Sequence, residues 1–544
     1  MSVRASLLLA VLPSLLGAQT DLGSNIDRIF ARFDRTTPGC AVGLARDGRA
    51  LYAHGYGMAN LEYGVPLTDS TVLESGSVAK QFTASALVLL AEDGKLSLDD
   101  DIHKYLPEVP SFGPTITIRN LLTHTSGLRD QWGLLGIEGR GPGTQVHSAA
   151  TTLDLVAHQK MLNFAPGSKY LYSNTGYALA GLIVQRVSGK TLDEFTRERL
   201  FRPLGMVHTR WRDDFTTIVP NRATAYTFAR GAFHTDMPFT NMIGNGGLLS
   251  TVGDLMKWND NLDHPTVGGP SYVDAMQTRM RLTSGRTITY ALGLIVTDHD
   301  GVREISHSGS TAGYQTFLAR YPDQHVSLAV WCNTSTANPT QLAHEVADLV
   351  LTKPPRAAAQ STQAGAPATR FSAAGMSKWG GTYVNPETDV AMAVAVVDSG
   401  LAVTLGNRTT MLRPVEGAEF RSTTMALHFG MRGPRRVATI ALPDGDTSTV
   451  ELVTAPTHAL PLADYGGTYA SDELDVQFKV VARDGKLYLQ RRPADEFELR
   501  PTYADDFQAG GGLGSVRFRR DTSGRVVGFS FFAGRVLDVR FDRK

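Results

Sequence analysis

The chain reads as an α/β layered domain followed by two small antiparallel β-barrels, and three observations lead there. Strand-like runs flank a long helical stretch, a segment rich in Ala, Pro, Gln, Ser and Thr covers 353–376, and the C-terminal remainder of the chain contains one unit twice. With 544 residues the chain is also too long for a single core, since domains hold about 150 residues each.

Taken in order, Met1-Ser2-Val3-Arg4 and the apolar run 5–16 form the basic start and short hydrophobic stretch of a secretory signal, too short to cross a bilayer. The small pair Gly17-Ala18 marks a cleavage point. Residues 1–18 are therefore expected to be removed, and the mature protein to be exported, periplasmic or secreted, without a transmembrane anchor.

Apolar alternation over 39–63, broken by Arg46-Asp47-Gly48-Arg49, predicts a strand, a tight turn and a second strand. A helical pattern begins at Ser77 and runs to about Glu92, with Phe82, Ala86, Leu87 and Leu90 on one face. Helical patterns dominate from there to about residue 262, and Thr251-Val252-Gly253-Asp254 opens one of those helices as a capping box. Strand-like runs return at 288–296, 316–321 and 326–332, before a last helix near 341–351. An antiparallel sheet assembled from both ends of 19–352, with a helical insert between them, makes that segment one domain.

Cys40 and Cys332, the only cysteines, each lie in a short apolar run. Two buried thiols are expected, although an exported chain would also permit a disulfide.

Residues 353–376 have little to bury and read as a linker. Beyond them, Trp379-Gly380-Gly381-Thr382-Tyr383 recurs as Tyr465-Gly466-Gly467-Thr468-Tyr469, and Leu412-Arg413-Pro414 with Phe420 recurs as Leu499-Arg500-Pro501 with Phe507. Short alternating strands and turns such as Arg483-Asp484-Gly485-Lys486 then predict two barrel domains, 377–455 and 456–544, the second a repeat of the first. Few contacts are expected to cross the linker.

Composition excludes several function classes. Lys plus Arg and Asp plus Glu both number 53, so no net charge points to nucleic acid or an anionic membrane, and a small neutral or zwitterionic substrate suits the chain better. There is no G-x-S-x-G nucleophile elbow, no H-E-x-x-H and no C-x-x-C. Neither metal nor cofactor is expected.

The chemistry gathers at Ser77-Val78-Ala79-Lys80, Tyr172-Ser173-Asn174 and His307-Ser308-Gly309-Ser310. A serine hydroxyl is a poor nucleophile unless a base lies within hydrogen-bond reach. Positions i and i+3 of a helix share a face, so Lys80 can serve Ser77, and a buried lysine gives up its proton readily enough to act as that base. At a helix start, Ser77 would also set its acyl oxygen among backbone N–H groups. Tyr172 offers a proton shuttle to the leaving group, and Asn174 an amide for the substrate carbonyl or the lysine. Gly309 would let substrate approach the strand backbone. Each motif alone is ordinary: about one S-x-x-K is expected by chance among these lysines. Their joint occurrence in this order is what carries meaning.

Together the motifs resemble the S-x-x-K, Y-x-N and K/H-x-G elements of the penicillin-recognising serine hydrolases, the family of class C β-lactamases, DD-peptidases, D-aminopeptidases and related esterases. Similar stretches at 121–128, 203–206 and 246–251 extend the resemblance over about 24–352. It implies a β-lactamase-like fold for the first domain and an acyl-enzyme on Ser77, with Lys80 and Tyr172 as the acid/base pair. Asn174, His307 and Gly309 would position substrate, and the N–H groups of Ser77 and Ser310 would form the oxyanion hole.

One departure matters. β-Lactamases of this family usually carry lysine at His307, so carboxylate recognition there is weakened. That residue and the two barrels make the layout more similar to D-aminopeptidases, which implies cleavage of D-amino-acid peptides, amides or esters. A class C type β-lactamase or DD-carboxypeptidase, acting on a β-lactam or peptide, stays open. So does a catalytically degenerate ligand- or penicillin-binding protein.

Overall fold

A computed structural model describes residues 13–354 and 373–544, apart from 387, 398–399, 406–407, 416–417, 423–424, 442–446, 454–460 and 493–494. Most of the expected signal and most of the expected linker, 355–372, lie outside the described residues. The backbone divides into two compact units, one formed by 1–95, 184–278 and 291–357, the other by 96–183, 279–290 and 358–544.

In the first unit a helix, α1 (Pro13–Phe30), precedes a hairpin of β1 (Cys40–Arg46) and β2 (Arg49–Tyr56). Asp47 and Gly48 turn it with φ of 50° and 69°, the left-handed pair that a two-residue hairpin needs. After α2 (Lys80–Glu92) and α3 (Val252–Asp263) the chain returns as β3 (Ile295–His299), β4 (Val302–Thr311), β5 (Tyr314–Tyr321) and β6 (Val326–Cys332), then α4 (Pro339–Ala347). These strands form one sheet in the order β3-β4-β5-β6-β1-β2, antiparallel throughout.

All seven residues of β6 are buried, because α1 and α4 cover one face and α3 lies on the other. A strand buried on both faces is near-continuously apolar, which is how 326–332 reads but for Ser327. The expected strand at 288–296 begins only at Ile295, since Gly293 has a φ of 72° and breaks the run. The helical stretch also holds short strands, Arg210–Trp211, Tyr226–Ala229, Ala232–Thr235 and Leu248–Ser250, too brief to show a period. Thr251 caps α3 by accepting from the Asp254 N–H.

The expectation of two separate thiols is corrected. Cys40 on β1 faces Cys332 on β6 directly, and the two form a disulfide of 2.08 Å. Their spacing of 292 residues hid the pairing: only the sheet register makes them neighbours.

In the second unit the two repeats are closed eight-stranded barrels, from Gly381–Val384 to Thr447–Val453 and from Gly467–Ala470 to Val536–Arg543. The repeated residues do the same work in each copy. Gly381 and Gly467 have φ of 141° and 156°, where a side chain is strained, and the subsequent Tyr383 and Tyr469 donate to the carbonyls of Trp379 and Tyr465. Pro414 faces Phe420 across one strand pair, and Pro501 faces Phe507 across its counterpart. The end of the expected linker is barrel instead: Ala373–Met376 is a short helix whose Met376 enters the first barrel's core.

Contacts do cross the linker, against expectation. Leu134, Leu135, Ile137 and Leu155, from the helical segment, share one core with Phe478, Val516 and Phe531 of the second barrel. Beside them Arg129 and Glu473, 0% and 5% exposed, pair at 2.6 Å. Arg129 also donates to the Gln159 side chain and to the carbonyls of Leu537 and Asp538. A buried charge is tolerated only with that degree of pairing.

Candidate active site

The first unit holds Ser77, Lys80, His307, Gly309 and Ser310; the second holds Tyr172 and Asn174.

Ser77 sits in a tight turn, Gly76–Ala79, that runs directly into α2. A short strand, Leu73–Glu74, leads into the turn and pairs with Leu248–Ser250. The strand is anchored by Glu74, whose buried carboxylate takes two bonds of 3.0 Å from Arg212 and one of 2.9 Å from Arg222. The Ser75 carbonyl accepts from the Thr316 hydroxyl of β5 at 2.8 Å. The Gly76–Ala79 turn is thereby tied to the sheet.

Lys80, fully buried on the first turn of α2, places Nζ 3.0 Å from Ser77 Oγ and 2.7 Å from the Asn245 carbonyl. The second bond fixes the amine's direction, so the pair has the contact that proton transfer requires.

Two glycines let the backbones of the turn and of β4 touch. Gly76 has a φ of 51°, and a Cβ there would come within 2.5 Å of the Ser310 nitrogen. A Cβ on Gly309 would overlap the Ser75 carbonyl oxygen and the Thr316 hydroxyl, and would lie 3.0 Å from the Ser77 nitrogen. The main-chain nitrogens of Ser77 and Ser310 are thus carried by adjoining backbone, as an oxyanion site needs.

His307, 3% exposed on β4, has Nδ1 2.6 Å from the Ser308 carbonyl. That oxygen can only accept, so Nδ1 carries the hydrogen and Nε2 presents a lone pair. Burial lowers its pKa to about 3, and Lys80, in its protonated form, pushes the same way. The imidazole is neutral at physiological pH.

In the second unit, the loop 123–130 organises Tyr172 and Asn174. His124, held at a φ of 58°, accepts from the Ser173 N–H through Nδ1, and its carbonyl accepts from the Leu171 N–H. Its ring lies 4.0 Å from the Tyr172 ring, centroid to centroid. Asn174 begins the helix Asn174–Ser188. Asp130 Oδ2 accepts from both its backbone N–H, at 2.7 Å, and its side-chain Nδ2, at 2.9 Å, which fixes the orientation of the Asn174 amide. Asp130 Oδ1 meanwhile caps the helix Gln131–Glu138 through the Trp132 N–H.

Sequence reasoning missed Asp130, although an aspartate just before an apolar helical run is a capping signal. It also missed Arg535, whose guanidinium lies 4.6 Å from the centre of the Tyr172 ring; nothing local marks a residue so distant in the chain.

The family model "Beta-lactamase" matches residues 26–353, and "D-aminopeptidase, domain B" matches 372–491. Among curated proteins, the D-aminopeptidase of Brucella anthropi is 26% identical over 536 residues, which covers 93% of this chain and 95% of that protein. A penicillin-binding protein of Bacillus subtilis (strain 168) is 30% identical over 311 residues, 53% of this chain and 66% of its own length. Among solved structures, the octameric penicillin-binding protein homologue from Pyrococcus abyssi superposes with a TM-score of 0.55 at 24% identity, over 87% of this chain and 98% of that one.

Proposed function

The chain belongs to the beta-lactamase family and is a serine hydrolase; we propose that it cleaves amide bonds next to D-amino acids in small peptides or amides, and esters of similar size, through an acyl-enzyme on Ser77. The observation that carries this reading is the Lys80 amine held 3.0 Å from the Ser77 hydroxyl and aimed by the Asn245 carbonyl.

Ser77 Oγ attacks the substrate carbonyl as its proton passes to Lys80. The developing oxyanion takes the N–H groups of Ser77 and Ser310. Tyr172 hands a proton to the departing amine or alkoxide, and water then releases the acyl group by the reverse path. Asn174 and His307 position substrate, and Gly309 admits it to the strand edge. The D-aminopeptidase relatives, matched along nearly their whole length, support the choice of D-amino-acid substrates.

Hydrolysis of a β-lactam or a D-Ala-D-Ala peptide is a second reading, favoured by the penicillin-binding relative. Rates on nitrocefin, a p-nitrophenyl ester, D-Ala-p-nitroanilide and a D-Ala-D-Ala peptide separate the two. Ser77→Ala should lower turnover of the preferred substrate by roughly a thousandfold or more and abolish labelling by a fluorophosphonate. Unchanged turnover refutes the reading.

We propose further that the protein works outside the reducing cytosol. The Cys40–Cys332 disulfide supports this, since such bonds persist in oxidising compartments.

A further inference from the structure

We infer that Arg535 is a specificity residue that binds a carboxylate on the leaving-group side of the substrate, beside Tyr172. This rests on the proposed reaction, in which Tyr172 protonates the leaving group.

Arg535 lies in the turn between the last two strands of the second barrel, Val526–Ala533 and Val536–Arg543. That turn is fastened to the helical segment much as a strand would be. Asn163 donates through Nδ2 to the Arg535 carbonyl and accepts through Oδ1 from the Leu537 N–H, both at 2.9 Å. The Asp130 N–H reaches the same Arg535 carbonyl at 3.4 Å, and Arg129 bonds the carbonyls of Leu537 and Asp538 at 3.0 and 2.9 Å. The backbone of Arg535 is therefore fixed by groups that also shape the loop around Tyr172 and Asn174.

Its side chain lies over the Tyr172 ring and remains 47% exposed. The nearest carboxylate oxygen, Asp130 Oδ2, is 3.9 Å away, beyond a good hydrogen bond, and already takes two N–H groups of Asn174. Among the described residues the guanidinium donates no hydrogen bond. It is a fixed, permanently charged fork presented to solvent at the ring of the proposed acid, and a fork of that geometry matches a carboxylate.

The neutral state of His307 gives this charge its importance. The position where the family resemblance leads one to expect a lysine holds no cation here. Arg535 supplies a cation beside Tyr172.

The test uses the full-length protein and two aryl esters that differ only in charge, 3-acetoxybenzoate and its neutral carboxamide. The ratio of their kcat/KM values is measured for wild type, Arg535→Lys and Arg535→Gln. Loss of a charge-assisted bond should lower the acid-to-amide ratio roughly tenfold in Arg535→Gln, with Arg535→Lys in between and the neutral ester within about threefold. Because the group is half-exposed, the wild-type ratio should also fall as salt is raised. As a measurement that needs no variant, benzoate should inhibit the wild type more strongly than benzamide.

An unchanged ratio overturns the inference and leaves the proposed reaction standing, and so does an equal loss on both esters, which would mean that Arg535 acts only through Tyr172 or the fold. Hydrolysis of the neutral ester that survives Ser77→Ala overturns the reaction itself, and this inference with it.

Discussion

At the scale of single residues, His307 shows how burial changes what a motif means. Its folded pKa of about 3 lies below the ordinary value of 6.5, so between those values the unfolded chain holds a proton that the folded chain does not. Stability contributed by the neutral imidazole is complete above about pH 6.5 and is lost as pH falls toward 3, with a ceiling of about 5 kcal/mol. Thermal melts from pH 8 to 5 should show the wild-type Tm dropping more steeply below pH 6.5 than that of His307→Gln. Parallel slopes would mean that His307 is solvated after all.

The contact of Ser77 with Lys80 was legible because a serine three residues before a lysine needs only a helical turn to bring the pair together. The charge of His307 was not, since it depends on atoms of β4 and α2 that sequence does not place side by side. Asp130 was half legible: its cap could be read, its grip on Asn174 could not.

At the scale of elements, the approach of the Gly76–Ala79 turn to β4 depends on the missing side chain of Gly309. In Gly309→Ala the new methyl meets the Ser75 carbonyl and the Thr316 hydroxyl, neither of which is a flexible side-chain end. The strand must shift away from the turn, at a cost of about 1–3 kcal/mol. Displacement of a fraction of an ångström at an oxyanion site should lower kcat about a hundredfold, and ester kinetics beside a melting curve would show whether rate falls far more than stability.

Long apolar elements, β6 and α2 among them, could be read directly because both are buried along nearly their whole length. The strand expected at 288–296 starts seven residues late, at Ile295, because Gly293 breaks the chain where the apolar pattern continues. The barrels were legible for another reason. Their repeat preserves a glycine at an extended positive φ, a tyrosine bonding back four residues and a proline opposite a phenylalanine, and each of those is a geometric demand rather than a preference.

On the scale of the whole chain, the polar linker suggested independent parts, but composition along a segment reports only what that segment buries. The core shared by Leu134, Leu135, Ile137 and the second barrel joins residues more than three hundred positions apart, and neither side shows it alone. Removal of 358–544 would expose those side chains and strand the Arg129 guanidinium without Glu473, and breaking such a buried pair costs about 3–5 kcal/mol. The truncated chain should be recovered mainly as aggregate. Recovery as a soluble monomer with an unchanged melting temperature would contradict the shared core.

The order in which the sheet is written into the chain sets when the protein can first act. β1 lies between the edge strand β2 and β6, yet β6 ends at Cys332, and the second nitrogen of the proposed oxyanion site belongs to Ser310. During synthesis the proposed nucleophile, Ser77, emerges more than two hundred residues before the Ser310 amide that would complete its site. Non-local pairing of this kind is slow, because a long loop must close before any contact rewards it. Until β4 and β6 have been made, Ser77 is a serine beside a lysine and nothing more, so a chain that stops short of residue 332 has no complete acyl-transfer centre.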